Sequence, residues 1–78
     1  MTNWAVESGF CERLKQARIN SHHAQVHVAC ALETNVWYIS EVEQGHVVPS
    51  IKRAAELADL YGVSLDWLCG LKGVNDDA

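Results

Sequence analysis

No stretch of this 78-residue chain approaches the roughly 18 apolar residues that span a bilayer, which excludes a membrane-crossing helix. The opening Met1-Thr2-Asn3-Trp4-Ala5-Val6-Glu7 lacks the basic start and apolar run of a signal peptide, so a cytoplasmic protein is expected. Cys11, Cys30 and Cys69 are odd in number, widely spaced and without a C-x-x-C, which speaks against a disulfide framework or a zinc ribbon and leaves them as reduced thiols. There is no Gly-rich phosphate loop and no nucleophile with a matching base, so neither an enzyme nor a cofactor is expected. Cations are scarce: six Lys and Arg face ten Asp and Glu, for a formal charge of −4, and no Lys or Arg occurs between Arg18 and Lys52. Taken alone, that balance argues against a polyanionic partner.

What is present describes one compact domain. Hydrophobic residues make up 49% of the chain, with only one proline, which is the composition of a globular fold and not of a disordered or fibrous one. A chain of this length buries only about 60–65% of its unfolded surface and cannot support two cores. Residues 1–78 are therefore read as one domain, with a core at about 6–72 and a frayed tail at 74–78.

Apolar residues recur at helical spacing, so the chain reads as all-α. Phe10, Leu14 and Ala17, with Val6, predict a first helix over about 6–18, and Asn20-Ser21 either ends it or caps the second helix. That second helix fits 25–32, with Val28, Ala29 and Leu32 inward, and a third fits 36–44, with Ile39 and Val42 inward. Glu33-Thr34-Asn35 is the turn between them, with Asn35 the N-cap of the third helix and Gly45 its stop. Pro49-Ser50 opens a fourth helix over about 51–61, with Leu57 and Leu60 among its core residues, and Gly62 closes it. Ser64 caps a short fifth helix lined by Leu65, Leu68 and Leu71, ending near Gly70 or Gly73.

Two short helices joined by a tight turn are the requirement of a helix-turn-helix, whose second helix lies in the DNA major groove. From Phe10 to Gly70 the chain resembles the Cro and phage-repressor (XRE) family of such domains. The resemblance rests on Glu12-Arg13-Leu14-Lys15 with Arg18, on Gln25 with Val28-Ala29 and Leu32, and on Tyr38-Ile39-Ser40-x-Val42-Glu43-x-Gly45. Pro49-Ser50-Ile51 and Ala58-x-x-Tyr61-Gly62-Val63-Ser64-Leu65-Asp66-x-Leu68 complete it. It implies a five-helix, lambda-repressor-like fold. It also implies a repressor-like transcriptional regulator that binds double-stranded DNA as a homodimer on a palindromic operator.

The resemblance places Gln25, which opens the second helix, on phosphate or a base, and Tyr38 within reach of phosphate. Base readout falls to Gln25 and to the outward positions of the third helix: Val36, Trp37, Ser40 and Glu41. Val36 can meet only a thymine methyl, and Glu41 can accept from cytosine N4. Trp37 packs either on a sugar or methyl or into a protein interface. Asn35 either caps its helix or also meets phosphate. The cationic phosphate ligands are Lys52, Arg53, Arg13, Lys15 and Arg18. The dimer surface is expected around Trp67, Leu68 and Leu71.

Several positions depart from the family pattern. His22 stands where glycine is usual, His23 where a buried leucine is usual, and Ala24 where serine caps the second helix, so that Ser21 is a candidate to start that helix earlier. Glu33, Glu41 and Glu43 add negative charge to the stretch that has no permanent base. All four histidines, His22, His23, His27 and His46, lie in that stretch and would supply positive charge near pH 6. His23, His27 and Cys30, at i, i+4 and i+7, would align on one helical stripe suited to a metal, although no metal site is assigned. The rival function is a protein-interaction module, an antitoxin or antirepressor partner, using the apolar Val36, Trp37, Val47, Val48 and Trp67.

Overall fold

A computed structural model of the chain describes residues 9–70, which hold five α-helices and no strand. These are α1 (Phe10–Asn20), α2 (Gln25–Ala31), α3 (Val36–Gln44), α4 (Ile51–Tyr61) and α5 (Leu65–Leu68). The proposed start of the first helix at residue 6, and the tail, lie outside the described residues. Helix α1 runs two residues past the expected end because the Ser21 hydroxyl folds back on the carbonyls of Ala17 and Arg18, at 2.9 and 3.1 Å. Ser21 thus closes α1. It does not start α2, whose N-cap Ala24 is extended and offers no side-chain bond.

The later helices begin where a polar side chain satisfies an orphan backbone N–H. Asn35 Oδ1 accepts from the Tyr38 N–H at 2.8 Å, Ser50 Oγ from Arg53 at 3.2 Å, and Ser64 Oγ from Trp67 at 3.0 Å. Phe10, Leu14, Val28, Ile39, Val42, Leu57 and Leu68 are enclosed in one core. Helix α1 packs against α3, α4 and α5, while α2 packs on α3 through its buried Val28-Ala29 face.

Two expectations about exposed apolar residues need correction. Leu68, assigned to a dimer surface, has no exposed area: the single turn of α5 turns it into the protomer's own core, against α1 and α4. Val47 and Trp67 are half-buried against the same core. Leu71 lies outside the described residues.

Candidate nucleic-acid interface

The turn between α2 and α3 is closed by backbone bonds from Glu33 N–H to the Cys30 carbonyl at 3.2 Å and from Thr34 N–H to the Ala29 carbonyl at 2.8 Å. These satisfy the last carbonyls of α2 and require a left-handed residue between them, here Glu33 at φ +57°. Helix α3 then turns Ile39, Val42 and Glu43 inward. Its first turn faces out, with Val36 46% and Trp37 62% exposed.

The inward carboxylate organises the whole unit. Glu43, its side chain only 3% exposed, accepts from Arg18 Nε at 2.6 Å on Oε2, and on Oε1 from Arg18 Nη2 at 3.3 Å and Gln25 Nε2 at 3.0 Å. Arg18 Nη1 also donates to the His23 carbonyl at 3.0 Å. A buried carboxylate is tolerable only when paired and hydrogen-bonded, and here the pairing joins α1, the start of α2 and the end of α3. Arg18, expected on phosphate, is therefore turned inward, with 13% of its side chain exposed, and is removed from the phosphate ligands.

The other expected site residues divide by how far they are already engaged. Gln25 has one amide N–H held by Glu43. Asn35 uses its carbonyl oxygen as the cap of α3, which leaves its amide nitrogen to donate. Ser40 Oγ accepts from Gln44 Nε2 at 2.8 Å, and Glu41 Oε1 pairs with His46 Nδ1 at 3.1 Å. Arg53 reaches from α4 to the α2–α3 turn, donating to the Leu32 carbonyl at 2.7 Å and to Glu56 at 3.2 Å. Tyr38 lies beside that pair; burial pushes its phenol pKa up, Arg53 pulls it down and Glu56 adds to the rise, so its hydroxyl remains a donor. Lys15 and Lys52 are exposed, and the Arg13 guanidinium lies against Gly9.

The departures from the family pattern have local causes. His22 adopts φ +64° at the end of α1, the conformation for which glycine is the unstrained residue. His23 fills the place of an apolar side chain by setting its ring 6.0 Å from that of Tyr61, tilted by 37°. It precedes α2, so the stripe with His27 and Cys30 does not form, and among the described residues no group of three His, Cys, Asp or Glu is placed to hold a metal.

Glu43 and His46 were not identified from the sequence as site residues. The signal that could place Glu43 inward is its position one turn beyond Ile39 and next to Val42, but its partner lies 25 residues away in α1 and carries no local signal. His46 leaves no helical register to read, since it follows the end of α3.

A helix-turn-helix family model matches residues 14–68 of the chain. An HTH-type transcriptional regulator of Deinococcus deserti, DdrOP3, is 33% identical over 67 residues, which cover 85% of this chain and 52% of that protein. The chain thus spans about half the length of this relative. No solved structure matches it.

Proposed function

This chain belongs to the Cro and phage-repressor family of helix-turn-helix DNA-binding domains, and on that premise we propose that it is a sequence-specific, repressor-like transcriptional regulator acting in the cytoplasm. It binds a palindromic operator as a homodimer, with α3 in the major groove and half-sites about one helical turn apart. The observation that carries this reading is the presentation of α3: packed on α2 and braced by Glu43, Arg18 and Gln25, it leaves its first turn free for base edges. Gln25, Val36, Trp37, Ser40 and Glu41 meet the bases. Lys52, Arg53, Asn35, Tyr38 and Arg13 meet the phosphates, and Trp67 with Leu71 forms the dimer surface.

The test is selection of bound duplexes from a random pool. A palindrome is expected to be enriched, and Lys52→Ala is expected to weaken binding to it, as is Gln25→Ala/Lys52→Ala. Lys52→Ala alone keeps the test clear of folding, because Lys52 is exposed whereas Gln25 also bonds buried Glu43. Enrichment of no palindrome would favour the second reading, a protein-interaction module. That alternative draws on the exposed Val36 and Trp37 and on the lack of any permanent cation in α2 or α3.

A further inference from the structure

Four polar side chains assigned to DNA each hold a partner within the chain, while the apolar Val36 and Trp37 beside them are exposed. Gln25 is held by Glu43, Asn35 caps Tyr38, Ser40 accepts from Gln44, and Glu41 pairs with His46. Val36 and Trp37 stand in solvent on the first turn of α3. With no Lys or Arg between Arg18 and Lys52, α2 and α3 have no side chain for the bidentate contact to guanine, the commonest specific one. The apolar group that base edges offer in the major groove is the C5-methyl of a pyrimidine.

Resting on the reading that α3 enters the major groove, we propose that this chain selects DNA by pyrimidine C5-methyl groups, read by Val36 with Trp37 packed over the same edge. The methyl comes from thymine or from 5-methylcytosine, both of which place it at the same ring position. Methyl content in the half-sites then sets the preference, in place of a pattern of guanine contacts. Hydrogen bonds from Gln25, Asn35, Ser40 and Glu41 to the bases are limited to the capacity that their internal partners leave, such as the Asn35 amide nitrogen.

The duplex enriched from a random pool is prepared in three forms: as selected, with half-site thymines replaced by deoxyuridine, and with half-site cytosines replaced by 5-methylcytosine. Each methyl buried against Val36 or Trp37 is expected to change affinity about fourfold, from the transfer free energy of one carbon. A loss on deoxyuridine identifies thymine as the source, and a gain on methylation identifies 5-methylcytosine. Val36→Ala, at an exposed position, is expected to bring the thymine-to-deoxyuridine ratio close to one with helix content unchanged by circular dichroism. Trp37→Phe, which keeps an apolar face and removes the indole N–H, is expected to preserve the ratio. Equal binding of all three forms overturns the proposal while leaving DNA binding intact, as does a ratio that Val36→Ala does not alter or that Trp37→Phe abolishes. Failure to bind any duplex overturns the underlying DNA reading, and the proposal with it.

Discussion

Tyr61 sits at the end of α4, 6% exposed, and among the described residues no group is within hydrogen-bond reach of its hydroxyl. A buried hydroxyl without a protein partner costs about 1–3 kcal/mol. The ring itself is well used, packed in the core and against His23. Tyr61→Phe should therefore leave the fold intact and raise stability by about 1 kcal/mol, measured as the urea midpoint near neutral pH. The same residue sets an alkaline limit. Burial, reinforced by Glu43 and opposed by Arg18, raises the Tyr61 pKa above its ordinary value of 10.0, so the folded state holds the proton more tightly than the unfolded chain does. Its stability contribution is intact below about pH 10 and is lost as pH rises from there, because the unfolded chain ionises first. Tyr61→Phe should flatten that alkaline decline; an equal slope for both proteins would assign it to the other groups whose pKa burial raises, Cys11, Tyr38 and Cys69. At this scale the sequence was least legible. Arg18 reads as a surface cation and Glu43 as an acid opposed to DNA, yet the two neutralise one another in the interior, across a separation that no periodicity reports.

Helices α1, α2, α3 and α4 all end on a left-handed residue, which turns the chain while its N–H and the next one satisfy the last carbonyls. Gly45 and Gly62 do this for α3 and α4 without strain, whereas α1 and α2 use His22 at φ +64° and Glu33 at φ +57°. A side chain in that region costs about 1–2 kcal/mol, partly offset in a glycine replacement by the greater freedom of the unfolded chain. His22→Gly and Glu33→Gly should each stabilise the domain by about 0.5–1 kcal/mol, which thermal unfolding would register as an increase of a few degrees. An unchanged or lowered midpoint would mean that either side chain makes a compensating contact. Elements were the legible scale. Caps at Asn35, Ser50 and Ser64 and stops at Gly45 and Gly62 mark α3, α4 and the start of α5 in the sequence, because each is a local bond between a side chain or backbone group and a neighbour three or four residues away. The boundary that the sequence leaves open is Ser21. A serine between two helical patterns can end the first or cap the second, and the bonds of its hydroxyl to the Ala17 and Arg18 carbonyls decide for the first.

For the molecule as a whole, the pairs Glu43–Arg18 and Glu56–Arg53 leave the formal −4 unchanged, since each removes one charge of either sign, so what DNA would meet depends on where the remaining acids lie. Glu12, Asp59 and Asp66 are carried by α1, α4 and α5, outside the α2–α3 unit. The cations that remain for phosphate are few. Lys52 is exposed beside Arg53 at the start of α4, and Arg53 reaches toward the α2–α3 turn, so one contact from each is the minimum that the proposed binding requires per protomer. Each phosphate neutralised contributes about 0.9 to the slope of log affinity against log salt, so a homodimer should show a slope of about −4 and a single protomer about −2. Measured by fluorescence anisotropy on the selected duplex between about 50 and 200 mM salt, this slope counts both contacts and protomers. Lys52→Ala should make it shallower by about 2 in a dimer, since the substitution removes one contact from each half-site. A wild-type slope of about −2, with two half-sites in the selected sequence, would mean that the protomers bind independently and would remove Trp67 from the list of surfaces that hold a dimer together. A slope steeper than about −5 would require a third cation per protomer, with Arg13, placed on phosphate above, the first to replace by alanine and exposed Lys15 the next.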